Sequence, residues 1–279
     1  MARTPDADYV ARIARPGSIE AFALLFAGGQ AGVLGSLLAL RTELRESSLG
    51  AQDHSVAHAR IGWWDGEIER LIAGEPAHPI TRTLLAAAGD AAVDWSPLRG
   101  LIQAANIELA RVVFEDEAGL DGYLQASGGS LHRVCAGLAL GDAGAATGFG
   151  DPLGRALRRC EILDALHRDA RRGFIAVPLA WLDDAGVDVT ALQDGTGGEA
   201  LRRHLLRARE EFQSVLQAVP RAARQCLTGQ IALAAGYTHR LAAWQRARSD
   251  PAGEPPPARP LGTLWTIWRA ARRLEFDTA

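Results

Sequence analysis

The sequence predicts an all-α protein, and three observations carry that prediction. Apolar residues recur at the three- and four-residue spacing of a helix face through most of the chain. Serine, aspartate and proline stand at the starts of these segments, and glycine or proline clusters stand at their ends. No stretch alternates with period two for long, and no repeat of fixed period is visible, so strand-rich and solenoid folds are disfavoured.

Residues 18–49 open on Ser18, an N-cap candidate with Glu20 close behind, and run through Phe22, Leu25 and Phe26 to a break at Gly28-Gly29. A second helix, about 31–49, carries Leu34, Leu37, Leu38 and Leu44 on one stripe. Residues 56–73 form a third, with Val56, Ile61, Trp63, Trp64, Ile68, Leu71 and Ile72, and Gly74-Glu75-Pro76 ends it. Helix 79–88 starts on Pro79. Helix 96–113 starts on Ser96-Pro97, a cap followed by proline at the first helical position. Residues 117–141 form a helix with small residues at its middle, 126–130. A glycine-rich stretch, 142–151, precedes helix 151–172, which Asp151-Pro152 caps. Residues 173–198 read as irregular. Two helical segments, about 197–217 and 220–247, lead to a proline-rich loop, 249–260. A last helix, 261–275, sets Leu264, Trp265, Ile267 and Trp268 beside Arg269, Arg272 and Arg273. Only one helix follows the proline-rich loop, so residues 1–279 read as one domain.

A chain of 279 residues with 48% hydrophobic and 23% charged residues can bury a substantial core. Its 30 basic and 33 acidic residues leave a net charge of −3, which argues against a nucleic-acid partner and against disorder. Every basic residue is arginine, so no lysine can form a Schiff base or bind phosphate in a Walker loop. Cys135, Cys160 and Cys226 show no CxxC spacing and read as small buried apolar residues. The first 18 residues are charged throughout and lack the apolar segment of a secretory signal. No run of 18 apolar residues occurs, so a cytoplasmic protein is expected, with peripheral membrane contact through 261–275 as an added prospect.

Isolated features carry little chemistry. His54 and His58 share a helix face but lack a third metal ligand, Ser130 and His132 lack a triad, and 142–151 lacks the strand and GK[ST] ending of a phosphate loop. Trp63 and Trp64 read as core. Arg158, Arg159, Arg168, Arg171 and Arg172 read as a solvated face in so arginine-rich a chain, although arginine forks suit phosphate oxygens.

Several segments together resemble the squalene/phytoene synthase family. Residues 36–44, SLLALRTEL, are similar to the family's ALYAF-type helix, which ends in an acidic residue, here Glu43. Residues 59–79, ARIGWWDGEIERLIAGEPAHP, resemble its Arg-x-x-x-Trp-Trp…Gly-x-Pro-x-His-Pro stretch, and 120–130, LDGYLQASGGS, its Tyr…Ala-Gly helix with Tyr123. Residues 153–188 resemble its second aspartate helix and the turn after it, and 262–273, GTLWTIWRAARR, its closing helix. The resemblance implies an all-α bundle of the isoprenoid synthase type around a central apolar cavity. In active members two aspartate-rich helices face each other there. Their carboxylates hold Mg²⁺ against the diphosphates of two prenyl substrates, because Mg²⁺ takes about six oxygen ligands and neutralises the departing charge.

The carboxylates of that pattern are mostly replaced here. Matched on 36–44, the first DxxxD pair falls on Arg45 and Leu49, leaving Glu46 as the acid of that turn. In the second helix, NxLRDxxED becomes 161–169, EILDALHRD, with Ala165 and Arg168 at acidic positions and Asp169 kept. The following GRxYLP becomes 173–178, GFIAVP. Asp164 lies about 140° around the helix from Asp169, and Glu161 lies about 12 Å from it along the axis, so neither restores a pair. Arg45 is expected to pair with Asp169 in the space of the lost metal.

The expected function is therefore that of a divergent, catalytically impaired member that binds an isoprenoid or lipid-like ligand, or a protein partner, in or near the retained cavity. In this it resembles the branch of the family that assists assembly of respiratory complex I. The candidate residues at the cavity mouth are Glu43, Arg45, Glu46, Tyr123, Glu161, Arg168, Asp169 and Arg172. Asp169 and Glu46 are the candidate metal ligands. No cofactor is expected. Mg²⁺ enters only under the alternative reading, an active prenyltransferase that joins two prenyl diphosphates head to head with Glu43, Glu46, Glu161 and Asp169 as an unusual metal set. A helical assembly scaffold is the third reading.

Overall fold

The structure is a computed structural model that describes residues 7–197, 201–246 and 259–276. These residues form helices and no strand. Helix α1 is Ala7–Ile13, α2 Ile19–Phe26, α3 Ala31–Leu49, α4 His54–Ile72, α5 Pro79–Ala88 and α6 Arg99–Leu109. Helices α7 (Glu117–Leu124) and α8 (Ser130–Leu140) are joined without a break by a π-helical turn, Gln125–Gly129. One turn of helix, α9 (Ala143–Ala145), and a second π-helical turn, Ala146–Gly150, lead straight into α10 (Asp151–Arg171). Then follow α11 (Leu179–Ala185), α12 (Val189–Gln193), α13 (Arg202–Ala218), α14 (Arg221–Cys226), α15 (Thr228–Arg246) and α16 (Pro260–Phe276).

Local chemistry fixes most of these ends. The Ser18 hydroxyl accepts from Ala21 N at 3.0 Å and starts α2. Pro79 sits in the first turn of α5, where a missing N–H costs nothing. Gly141 takes a left-handed conformation, φ 64°, and stops α8.

Five expectations need correction. Residues 173–198, read as irregular, contain α11 and α12, and the Asp188 carboxylate starts α12 by accepting from Thr190 N at 2.7 Å. Helix α4 starts at His54 because the Asp53 carboxylate accepts from Ser55 N at 2.8 Å, a cap stronger than the apolar pattern alone indicated. Helix α6 stops at Leu109 rather than 113, and Ser96 begins a short 3₁₀ turn whose N–H bonds Asp94 at 2.9 Å. The glycine-rich stretch 142–151 is helical, since Asp142 caps α9 by accepting from Ala145 N at 2.6 Å. Asp151 does not cap α10, because it lies inside a continuous helix and binds Arg133 with both oxygens. The proline-rich loop, 249–260, falls almost wholly outside the described residues, as does the side chain of Arg273.

Helix α3 is the central element. Residues 33–40 are buried on every side, as expected of a helix that neighbours surround rather than of one lying on a surface. Leu34, Leu37 and Leu40 are fully buried, each worth roughly 1.5–3 kcal/mol of apolar transfer. Helix α10 is set by a glycine contact. A Cβ on Gly128, in the first π turn, would collide with the Gly154 carbonyl of α10, and a Cβ on Gly154 would collide with the Gly128 carbonyl. Backbone therefore meets backbone, and Arg158, one turn beyond Gly154, is laid against Ser127 and Tyr123.

Candidate functional site

A cavity of about 860 Å³ opens between α3 and α10, with the start of α2, α15 and the start of α16 closing its other sides. Its lining departs from the apolar cavity that the resemblance implies. Among the described residues it includes nine arginines and five carboxylates, with Leu38, Ile13, Ile19, Ala165 and Ala243 as its main apolar members.

The wall between α3 and α10 is a chain of ion pairs. Arg45 of α3 donates through Nη2 to Asp169 of α10 at 2.8 Å and through Nε to Glu108 of α6 at 2.9 Å. One turn earlier on α3, Arg41 donates to Glu161 of α10 at 2.9 Å. Beneath them Arg158, 2% exposed, donates to Glu161 at 3.1 Å and to the Tyr123 hydroxyl at 2.7 Å. Tyr123 passes its own proton toward Glu108 at 2.5 Å, and Ser48 adds a hydrogen bond to Glu108 at 2.8 Å. Three guanidiniums thus face three carboxylates, and Tyr123 and Ser48 complete the hydrogen bonding of Glu108. A buried charge is tolerable only when paired and hydrogen-bonded in this way.

The protonation states follow from these contacts. Burial alone would raise Glu161, but Arg41 and Arg158 outweigh it and hold the carboxyl at about 2. Burial would lower Arg45, but Glu108 and Asp169 keep its proton on, well above the usual value. Burial pushes the Tyr123 hydroxyl up to about 12 against the pull of Arg158, so Tyr123 is a donor at neutral pH. Burial also drives His132, behind Arg41, down to about 3.

Of the eight candidate residues, Arg45, Glu46, Glu161, Arg168, Asp169 and Arg172 line the cavity. Glu46 pairs with Arg172 at 3.3 Å on the exposed rim. Arg168 lies 3.8 Å from Asp169 with 60% of its side chain exposed. Glu43 and Tyr123 do not line it. Glu43 pairs at 2.8 Å with Arg12, which does line the cavity, and Tyr123 is buried beneath the ion-pair wall. Asp164 turns toward α15 and pairs with Arg240. The solvated arginine face divides in two, because Arg158 and Arg159 are buried while Arg168 and Arg172 reach solvent. Trp64 is core but Trp63 is 48% exposed, and Cys226 is exposed where Cys135 and Cys160 are buried.

The acids of the alternative metal set each face an arginine: Glu161 faces Arg41, Asp169 faces Arg45, Glu46 faces Arg172 and Glu43 faces Arg12. A hard cation needs carboxylates free to turn their oxygens to it, so a metal here would have to displace these arginines.

A model of the squalene/phytoene synthase family matches residues 19–265. The chain belongs to the squalene/phytoene synthase family. Among solved structures it is similar to a dehydrosqualene synthase in complex with ligand, with a TM-score of 0.74 and 16% identity over 96% of this chain and 99% of that one. It is also similar to squalene synthase HpnC from Alicyclobacillus acidocaldarius, with a TM-score of 0.60 and 18% identity over 95% and 94% of the two chains. No curated protein matches it. At these identities the structural likeness is one of fold, the all-α isoprenoid synthase bundle.

Sequence reasoning missed Glu108, Arg41 and Ser48. Glu108 had a readable signal: it is a lone acid on the apolar face of α6, in step with Leu101, Ala104 and Ala105. Arg41 and Ser48 had none beyond their neighbours on α3. No helix among the described residues is long and apolar enough to cross a membrane.

Proposed function

We propose that this family member has given up metal-dependent condensation and uses its cavity to bind an isoprenoid or lipid-like ligand. The observation that carries the reading is the Arg45 guanidinium, held by Asp169 at 2.8 Å and Glu108 at 2.9 Å. It stands where the family resemblance puts an acid, and it supplies in fixed form the positive charge that a metal would supply. The three-against-three balance of the wall leaves the remaining arginines of the cavity, Arg15, Arg168, Arg172 and Arg259 among them, nearer the rim. Guanidinium forks suit the oxygens of phosphate or carboxylate headgroups. The ligand's acyl or prenyl chain would follow the apolar side, along Leu38 and Ile19.

Calorimetric titration with farnesyl diphosphate, with and without Mg²⁺, followed by extraction of products from the same sample, tests this. The expected result is binding that is indifferent to Mg²⁺ and yields no prenyl product. Magnesium-dependent binding with a hydrocarbon product would restore the condensing enzyme. Absence of binding to any prenyl or acyl compound would leave the bundle as an assembly scaffold for a protein partner.

A further inference from the structure

Helix α16 has two faces of opposite character. Thr263, Ile267 and Ala271 follow one another at four-residue intervals and are buried at 6%, 0% and 6% exposure. Leu261 and Trp265 follow one another on the outer face at 83% and 59%, and Arg269 and Arg272 extend that side toward the helix end. Burying 263, 267 and 271 already docks the helix, so packing gives no reason for Leu261 and Trp265 to face water. The Trp265 ring stacks on Trp268 with centroids 4.7 Å apart, and the Arg272 guanidinium lies over Trp268 at 5.5 Å. The result is a stiff aromatic ledge edged by arginine.

The ledge adjoins the cavity. Gly262 and Thr263, beside Leu261, line the opening together with Arg259. Arg15 and Arg259 at this opening are exposed, and Arg168 is 60% exposed on the opposite side. One apolar ledge and a positive rim therefore share one end of the bundle. Tryptophan and leucine enter the headgroup zone of a bilayer while arginines meet lipid phosphates, and the two contributions add.

We propose that α16 seats the cavity mouth on an anionic membrane surface, with Leu261 and Trp265 in the headgroup region and the rim arginines against lipid phosphates. The charge of the rim selects an anionic lipid surface as the occupant, since a second copy would bring the same positive rim against itself. A lipid then passes between bilayer and cavity without crossing water, a consequence that rests on the ligand reading above. The seating itself stands on the surface alone.

Co-sedimentation of the full chain with vesicles tests it, using phosphatidylglycerol mixed with phosphatidylcholine against phosphatidylcholine alone. The wild type is expected to partition about tenfold more strongly to the anionic vesicles, and less as salt is raised. The double change Leu261→Glu and Trp265→Glu is expected to abolish partition while the helical circular dichroism stays unchanged. Val113→Glu, 58% exposed between α6 and α7, serves as the control and is expected to bind as wild type does. Should the double change unfold the chain, Arg259→Glu with Arg269→Glu tests the electrostatic half at exposed positions. Equal partition to both vesicle types, retention by the folded double variant, or lipid-free dimers that the double change dissolves would each overturn the proposal. Vesicle binding without binding of farnesyl diphosphate or any acyl compound would remove the ligand reading and leave the seating intact.

Discussion

Among the described residues, Glu67 and Glu108 are the most deeply buried glutamates, and they do different work. Glu67 of α4 accepts from Ala77 N at 2.9 Å, His78 N at 2.8 Å, the Thr81 hydroxyl and Arg70 Nε at 2.8 Å. Two of its four partners are backbone N–H groups of the segment between α4 and α5, and it ties that loop to the helix. Glu108 of α6 has no backbone donor among its hydrogen bonds. It answers Arg45, Tyr123 and Ser48, with the Arg158 guanidinium 3.6 Å away. Both are shielded from water, at 0% and 1% exposure. The difference teaches that burial of a carboxylate does not by itself mark a site. A carboxylate that gathers backbone N–H groups holds a fold, whereas one that gathers guanidiniums from two helices, Arg45 of α3 and Arg158 of α10, holds a charge pattern at a cavity.

The comparison can be broken by replacing each acid with its neutral isostere. Glu108→Gln leaves Arg45 and Arg158 short of a buried counter-charge and is expected to cost roughly 3–5 kcal/mol of unfolding free energy. Glu67→Gln keeps one carbonyl oxygen for the backbone donors, and Arg70, 41% exposed, can turn to water, so about 1–2 kcal/mol is expected. Urea unfolding of both variants reads the difference. Equal losses would mean that Glu108 is a structural clamp of the same kind as Glu67.

The same network should show in the acid limb of the stability curve. His132 sits at about 3 in the fold against 6.5 ordinarily, because burial and Arg41 oppose its charging while Glu161 favours it less strongly. The unfolded chain therefore binds this proton first, and stability is lost as pH falls from 6.5 toward 3. Glu161 sits at about 2 against 4.5, so its contribution is present above 4.5 and is lost as pH falls toward 2. Each group gives a slope of at most about 1.4 kcal/mol per pH unit in its window. His132→Gln is expected to flatten the limb between 6.5 and 4.5, with His78, also lowered by burial, leaving a residual slope. The fall below 4.5 should survive. Unfolding midpoints in urea across the pH range give both windows from one protein, and an unchanged slope above 4.5 would show that His132 titrates normally.

How much of this was legible depended on whether the cause was local. Ser18, the Gly28-Gly29 break and Pro79 place helix ends correctly because capping and φ restriction act within a few residues. The stretch 142–151 misled for a physical reason: its glycines read as a loop, yet Asp142 caps it and the π turn lets Gly150 lie against the backbone of His132 and Arg133. The Arg45 and Asp169 contact was readable only because both residues fell on matched positions of two facing helices. The Arg41 and Glu161 pair, 120 residues apart, left no trace in spacing or composition. Glu108 lay outside every matched motif, so the residue that anchors the wall was visible only as one acid on an apolar stripe.

The smallest expected effect sharpens the contrast between wall and rim. Arg172 and Glu46 form the same kind of pair as Arg45 and Asp169, between α3 and the residue that ends α10, but their side chains are 40% and 55% exposed and 3.3 Å apart. Water and salt screen such a pair, and ordering two long side chains offsets most of what remains, so Arg172→Gln is expected to change stability by less than about 0.5 kcal/mol. Arg45→Gln, by contrast, strips a buried partner from both Asp169 and Glu108 and belongs with the large losses. If thermal melts at low and high salt show Arg172→Gln to be as damaging as Arg45→Gln, the rim is part of one continuous network. The arginines there would then be committed to the fold and not available to a headgroup.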